Sequence, residues 1–301
     1  MAPIGTERVA AAWTDVRMVD TDRGPVEVAI AGSGPAILVI HGTPGSWRQC
    51  FSLAEDLADA YTVVAPSRPG YGRTPLSTGR TFQDQAAAYA AVLDALELER
   101  GAIVGASGGG PSALAFAEDH AARCTALVLC CALVPSMINV PAGLRYLLAP
   151  RGLGEVLSGL ERTVNRRRIQ NPKAVDKWLR TNLTPDELKR SLETPGMRED
   201  LIAFSLTHLD APAGLGGVRN DLAQVRSAKA AEARSPRIAA PTLVMQGDAD
   251  PVVPLAHAEH LVGAIPGAEL EVYEDAGHAF FFTRRREVNE RLRAFFQTVL
   301  R

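Results

Sequence analysis

The sequence predicts an α/β fold with a mostly parallel central sheet flanked by helices. Short apolar segments that favour β-strands alternate with longer helical segments from 36–40 to 125–131, and again from 242–246 to 269–273. Most of these strand segments are apolar throughout, which is typical of parallel strands covered on both faces. The chain has 301 residues, of which 47% are hydrophobic, so it is long enough to bury a sizeable core.

The predicted elements follow one another in the order that such a sheet requires. A glycine- and proline-containing turn at 32–35 separates the first two strands, and alanine and leucine recur at helical spacing from Phe82 to Leu98. We predict strands at 26–31, 36–40, 62–65, 101–105, 125–131, 242–246 and 269–273, and helices at 47–59, 82–98, 109–119, 255–264 and 285–299.

A long helical and polar segment interrupts this alternation between residues 135 and 234, which we call the insertion. Because about 100 residues are too many for a loop, we predict a helical cap over the carboxyl edge of the sheet. Residues 1–134 and 235–301 then form one core domain. Apolar residues of the insertion that are candidates for a substrate pocket are Leu144, Tyr146, Leu147, Leu148 and Trp178.

Composition excludes several classes of function. A net charge of -2 argues against nucleic acid as a partner, because phosphate binding needs clustered lysine and arginine. No apolar run approaches the roughly 20 residues that span a bilayer, and no secretory leader is visible. The four cysteines have no CxxC spacing, so we interpret them as reduced core residues of a cytoplasmic protein.

A candidate nucleophile follows the apolar strand at 101–105. Residues Gly105-Ala106-Ser107-Gly108-Gly109 match G-x-S-x-G between a strand and a helix, the context that this motif requires. Gly105 and Gly109 would let strand and helix approach closely around a strained Ser107. Gly108 would offer its N–H to a developing oxyanion. A glycine-rich turn that only packs or binds an anion is the alternative.

The loop after the strand at 36–40 is a candidate for the second half of an oxyanion hole. It reads His41-Gly42-Thr43-Pro44-Gly45-Ser46, and Thr43 is the candidate donor because Pro44 has no N–H. A histidine at a strand end beside glycine is more often a structural hydrogen-bonding residue, which is our interpretation of His41.

Three segments in this order resemble the capped serine hydrolases of the α/β-hydrolase fold superfamily: His41-Gly42, then Arg68-Pro69-Gly70-Tyr71-Gly72-Arg73-Thr74, then the serine turn. The resemblance covers nearly all of the chain outside the insertion. It implies the α/β-hydrolase fold with a helical cap insertion. Ser67 departs from the pattern, because many relatives carry aspartate there.

Triad residues in this superfamily follow the order serine, acid, histidine. His278 lies in a loop after the last predicted strand, within Asp275-Ala276-Gly277-His278. For the acid, the resemblance to G-x-x-D selects Asp250 and leaves Asp248 as a turn former; otherwise both aspartates only cap a turn. We interpret His257 and His260, three residues apart on a predicted helix, as exposed, and we expect no metal site.

These residues imply a serine esterase without a cofactor. His278 would take the proton of Ser107, and Asp250 would stabilise the imidazolium, so activity should rise with pH through roughly 6–7. We expect a carboxylic ester of a small to medium apolar substrate, and a monomer or homodimer. The alternatives are a carbon–carbon bond hydrolase, an aminopeptidase-like amidase, or a receptor that binds small molecules without turnover.

Overall fold

The computed structural model describes Trp13 and residues 15–138, 179–209, 216–230 and 237–300. Within these residues the chain forms one eight-stranded sheet with helices on both faces. The strands are β1 (Asp15–Thr21), β2 (Gly24–Ala31), β3 (Ala36–Ile40), β4 (Thr62–Pro66), β5 (Gly101–Ala106), β6 (Cys124–Cys130), β7 (Thr242–Gly247) and β8 (Glu269–Tyr273).

The described α-helices divide between the core and the insertion. They are α1 (Phe51–Ala54), α2 (Phe82–Ala95), α3 (Gly110–Asp119), α4 (Pro185–Glu193), α5 (Met197–Leu209), α6 (Gly216–Ala230), α7 (Ala256–Ala264), α8 (Phe280–Thr283) and α9 (Arg285–Val299). Helices α4, α5 and α6 belong to the insertion. The apolar residues proposed from sequence for its pocket, 144–148 and Trp178, lie outside the described residues.

The strand order is β1-β2-β4-β3-β5-β6-β7-β8. Strands β3 to β8 pair in parallel, whereas β2 pairs antiparallel with both β1 and β4. The central strands β3, β5 and β7 are buried at every residue, because helices cover both faces of the sheet. This confirms the mostly parallel α/β sheet that the sequence predicts.

Two apolar layers hold the helices against the sheet. One layer joins α2, α3 and α7 to one face through residues such as Tyr89, Phe116 and Leu261. The other joins α1 and α9 to the opposite face through Phe51 and Phe296. The parallel strands of such a layered fold all end at one edge, where the loops after β3, β5, β7 and β8 meet.

One predicted helix differs in the structure. Residues 47–59 form a 3₁₀ turn at Trp47–Cys50, the short α1 and a second 3₁₀ turn at Glu55–Leu57. Trp47 and Cys50 are buried in the core, so tertiary packing takes precedence over a regular helix here.

All four cysteines are buried and carry free thiols, as predicted. No helix within the described ranges combines the length and apolar character needed to cross a bilayer.

Candidate active site

Ser107 lies at the sharp turn between β5 and α3. Its φ is +48°, a left-handed conformation that side chains other than glycine rarely adopt. The carbonyl oxygen of Ser107 accepts a hydrogen bond of 3.1 Å from the amide of Leu133, which fixes the strained turn against the chain that leaves β6. The hydroxyl is thereby presented at the carboxyl edge of the sheet.

The two glycines that flank this turn lie where there is no room for a side chain. A Cβ at Gly105 would lie 2.5 Å from the Cβ of Ala113 on α3, and a Cβ at Gly109 would lie 2.6 Å from the carbonyl oxygen of His41. Such distances are too short for non-bonded atoms in contact. A side chain at either position would therefore force the strand, the helix or the neighbouring loop apart.

His278 and Asp250 meet Ser107 from two other loops. Nε2 of His278 lies 3.1 Å from Oγ of Ser107, and Nδ1 lies 2.7 Å from Oδ2 of Asp250. The loops after β7 and β8 bring these side chains to the loop after β5, because all three strands run in parallel to the same edge. The structure thus places the three predicted triad side chains in one hydrogen-bonded line.

The structure distinguishes the two aspartates of the loop after β7. Asp250 is buried, and its Oδ1 accepts hydrogen bonds from the amides of Val252 and Val253 at 2.7 and 2.9 Å. Gln246 donates to the Oδ2 that also faces His278. Asp248 is exposed, and its carboxylate contacts only backbone, at 3.4 Å from the amide of Ala276 in the loop after β8.

Thr43 and Gly108 lie together beside the nucleophile. A Cβ at Gly108 would overlap the Thr43 side chain and would lie 3.3 Å from the Thr43 amide nitrogen. A Cβ at Gly42 would lie 3.2 Å from Cβ of Ser107. The two N–H groups predicted for the oxyanion hole therefore belong to neighbouring backbone segments next to Ser107.

A buried ion pair joins the loops after β3 and β4 to the insertion. The guanidinium of Arg68 is fully buried and contacts both carboxylate oxygens of Asp221 on α6, at 3.0 and 2.8 Å. The hydroxyls of Thr43 and Tyr71 donate to the same carboxylate at 2.5 and 2.7 Å. Asp221 thus joins the insertion to the predicted oxyanion loop, a role for which we made no sequence prediction.

We expect Asp221→Ala to lower the free energy of unfolding by about 3–5 kcal/mol, because it leaves the buried charge of Arg68 without its partner. Urea unfolding measures this change. The control is Glu290→Ala, which breaks the exposed pair between Arg286 and Glu290 and should change stability by less than about 1 kcal/mol. Equal effects of the two substitutions would contradict this assignment of the Arg68 pair.

Ser67 is hydrogen-bonded to a buried carboxylate, that of Glu27 on β2. Its Oε2 accepts hydrogen bonds from the Ser67 hydroxyl at 2.9 Å and from the Arg73 amide at 3.0 Å. Its Oε1 accepts from Nε of Arg73 at 2.7 Å. Glu27 therefore links Ser67 and Arg73, on either side of the turn at 69–72, to β2.

Two other histidines have structural contacts. His41 is buried, and its Nε2 accepts a hydrogen bond of 2.9 Å from the Arg68 amide, as predicted for a structural residue. The expectation that His257 is exposed is wrong. It is only 5% exposed, and its Nδ1 accepts from the amide of Val134, because α7 packs its first turn beneath the chain that leaves β6. His260 is exposed.

The pKa of His278 is perturbed by its surroundings. Burial alone would lower it, but the hydrogen bond and the negative charge of Asp250 act in the opposite direction, and the pKa of His278 is raised to about 9. The nearby Cys131 thiol is itself buried, which raises its pKa well above the usual value. The environment therefore favours the imidazolium that forms when Ser107 loses its proton.

We expect kcat/KM to rise with pH to a midpoint above the 6–7 range inferred from sequence and up to about 9, because neutral His278 is the base. Stability should change in the opposite sense. The raised pKa stabilises the folded state fully below the unfolded value of about 6.5, and this contribution is lost as pH rises through about 9.

A pH–rate profile and urea unfolding of the wild type and His278→Gln at pH 6 and 9 measure both effects. The difference in stability between the two proteins should shrink at the higher pH. An activity midpoint at or below 6.5 would contradict the raised pKa.

A cavity of about 280 Å³ opens beside Ser107 and His278. Both the core and the insertion line it, and its surface is mainly apolar. Its described lining contains no Lys, Arg, Asp or Glu. Lining residues include Thr43, Leu53, Thr181, Asn182, Phe204, Val252 and Phe281.

Metal binding has no support within the part of the chain that the structure describes, since no three His, Cys, Asp or Glu side chains group suitably there.

Sequence reasoning missed Glu187 as well as Asp221 and Glu27. Thr184-Pro185-Asp186-Glu187 has the T-x-x-E spacing of a capping box, and the structure shows the reciprocal bonds of that motif at the start of α4. This signal predicts where a helix begins. It does not predict that the carboxylate faces the core.

Comparisons with known proteins agree with this architecture. Residues 35–284 match the family model described as alpha/beta hydrolase fold. The hydrolase YcgS of Bacillus subtilis is 28% identical over 281 residues, which cover 87% of this chain and 91% of YcgS. A 2-hydroxy-6-oxononadienedioate/2-hydroxy-6-oxononatrienedioate hydrolase of Cupriavidus pinatubonensis is 28% identical over 276 residues, 87% of this chain and 88% of the relative.

Among solved structures, Est816, an N-acyl homoserine lactone degrading enzyme, superposes with a TM-score of 0.65 at 26% identity. The match covers 93% of this chain and all of Est816. The family model matches well over half of the chain, and its range contains strands β3 to β8 of the sheet. The chain therefore belongs to the α/β-hydrolase fold family.

Proposed function

We propose that this protein is a serine esterase in which Ser107, His278 and Asp250 form the catalytic triad. The observation that carries the proposal is the line of contacts from Ser107 Oγ to His278 Nε2 and from His278 Nδ1 to Asp250, at the mouth of the cavity. A strained serine, a buried carboxylate and an imidazole between them are the parts that nucleophilic acyl transfer requires.

The reaction follows from this geometry in two steps. His278 takes the hydroxyl proton as Ser107 Oγ attacks the acyl carbonyl, and the protonated imidazole returns that proton to the leaving alcohol. Water then attacks the acyl-enzyme with His278 again as base, which releases the acid and restores Ser107. The amides of Thr43 and Gly108 would bind the oxyanion in both steps.

The cavity supports an uncharged substrate. Its described lining is apolar apart from neutral polar groups and the two histidines His41 and His278. A neutral acyl group can be desolvated in such a cavity at little cost, whereas a carboxylate needs a cation or several donors. The similarity to Est816 supports hydrolysis of an ester or an amide, because an N-acyl homoserine lactone contains one bond of each kind.

The insertion completes the site in this proposal. Thr181, Asn182 and Phe204 line the cavity from the insertion, and Asp221 binds the loop of Thr43. We propose that residues 135–234 act as a cap that encloses the acyl group. The protein would act as a monomer or homodimer on a small molecule, without a cofactor.

Labelling with a fluorophosphonate probe, followed by turnover of p-nitrophenyl acetate, butyrate, octanoate and palmitate, tests the proposal. We expect labelling at Ser107 and the highest kcat/KM for short to medium chains, because the cavity is only about 280 Å³. Labelling without turnover of any ester or amide would favour a receptor. Absence of both labelling and turnover would exclude the esterase.

A carbon–carbon bond hydrolase is the second candidate, because the Cupriavidus pinatubonensis relative has that activity. Its substrate is a dioate and therefore carries two carboxylates, for which the described cavity lining offers no lysine or arginine. The direct comparison is kcat/KM for 2-hydroxy-6-oxononadienedioate against p-nitrophenyl butyrate. Faster cleavage of the dienedioate would reverse our choice.

A further inference from the structure

A buried carboxylate of the insertion contacts the loop that carries His278. Glu187 is the third residue of α4, and only 2% of it is exposed. Its Oε2 accepts hydrogen bonds from the amides of Thr184 at 3.1 Å and Gly277 at 2.6 Å. Its Oε1 accepts from the Thr283 hydroxyl at 2.9 Å. All three bonds thus converge on one carboxyl group, and each comes from a different residue.

Two further bonds from the same segment hold the loop on either side of His278. The carbonyl oxygen of Asn182 accepts from the amide of Ala279 at 3.2 Å. The Thr184 hydroxyl donates to the carbonyl oxygen of Asp275 at 3.2 Å. The insertion thus binds the backbone before and after the histidine.

This contact explains the glycine that precedes His278. A Cβ at Gly277 would lie 2.6 Å from the carbonyl oxygen of Asn182 and 3.0 Å from Oε2 of Glu187. A side chain at this position would push the insertion away from the loop. The glycine allows the carboxylate of Glu187 to reach the amide next to His278.

Anchoring at this point matters because the imidazole must face two partners at once. A displacement of about 1 Å in such a site can cost 10²-fold in rate. We propose that Glu187 is a positioning residue, whose carboxylate holds the His278 loop so that the imidazole lies between Asp250 and Ser107. This inference rests on the proposed function of the triad.

The test compares Glu187→Ala with Glu187→Gln. The alanine variant loses all three bonds, so we expect kcat for a p-nitrophenyl ester to fall by about 10- to 100-fold while KM changes less than threefold. Glutamine can accept from the Gly277 and Thr184 amides and donate to the Thr283 hydroxyl. It should therefore restore kcat to within about fivefold of the wild type.

Leu188→Ala is the matched control for a general loss of stability. Leu188 is the buried neighbour of Glu187 on α4, so its truncation destabilises the same helix without removing an anchoring bond. We expect it to lower the free energy of unfolding with little change in kcat at temperatures where it is folded. Equal kcat losses for Leu188→Ala and Glu187→Ala, or a Glu187→Ala enzyme with wild-type kcat, would overturn the proposal.

Amide hydrogen exchange gives a readout that needs no turnover. In Glu187→Ala, exchange at Gly277 should accelerate at least tenfold, while Glu187→Gln and Leu188→Ala should retain protection there. Unchanged exchange at Gly277 in Glu187→Ala would show that Glu187 does not anchor the loop. If wild-type protein neither reacts with a fluorophosphonate nor cleaves any ester, the proposed function fails, and exchange still decides the anchoring.

Discussion

Ser107→Ala should lower kcat for the preferred p-nitrophenyl ester by about 10⁶-fold. The substitution removes the nucleophile, so no acyl-enzyme forms and only the binding and oxyanion groups contribute to the residual rate. A stopped assay at high enzyme concentration measures this residual rate. Fluorophosphonate labelling of the Ser107→Ala variant should be absent.

Ser112→Ala is a suitable comparison for Ser107→Ala. Ser112 is a buried serine on α3, whose hydroxyl donates to the carbonyl oxygen of Gly109 at 3.0 Å and makes no contact with His278. Its loss should leave the probe reaction at Ser107 intact. Retention of most activity by Ser107→Ala, with the fold verified by circular dichroism, would remove the proposed mechanism.

Asp250→Asn should lower kcat by about 10⁴-fold with the fold preserved. The amide is nearly isosteric with the carboxylate, but it removes the charge that stabilises the imidazolium. It also disturbs the tautomer in which Nδ1 of His278 donates to Oδ2 of Asp250 at 2.7 Å. The pKa of His278 should fall with the loss of that charge, because Asp250 is one of the groups that raise it.

Asp248→Asn is the control for Asp250→Asn, because both residues lie in one loop and the change is identical. Asp248 is exposed and contacts the backbone amide of Ala276, not the imidazole of His278. Asparagine keeps an oxygen that can accept from this amide, so the substitution should change kcat less than about threefold. Steady-state kinetics of both variants at one pH is sufficient. A large loss in Asp248→Asn with little in Asp250→Asn would assign the acid to Asp248 instead.

Local sequence patterns were sufficient to predict the parallel sheet and most residues of the candidate site. Apolar strands such as 36–40 and 101–105 have no polar face, and this is why their alternation with helices predicts a parallel sheet. The serine turn at 105–109 is a short-range motif whose glycines pack closely against α3 and the loop after β3. Chain order and resemblance then selected Asp250 and His278, and the structure brings both to Ser107.

Contacts between distant segments were not predictable in the same way. Glu27, Glu187 and Asp221 are ordinary charged residues in sequence, and each becomes buried only because a distant segment packs against it. His257 is similar, since its helix has an exposed face but this side chain is buried and accepts a hydrogen bond from the distant amide of Val134. Burial of a charge depends on its partner, and no short-range pattern identifies a partner across 100 residues.

The sequence by itself predicted most of the strands and helices, the serine turn and the residue types of the candidate triad, because hydrophobic period and turn chemistry act over a few residues. It did not predict β1 or the short turns at 47–57. The tertiary structure alone decided how the candidate triad side chains are oriented. It set the φ of Ser107, brought His278 to 3.1 Å from its hydroxyl, and placed Glu187 and Asp221 against the two loops beside it. These positions depend on packing across the sheet edge, where segments far apart in the chain meet.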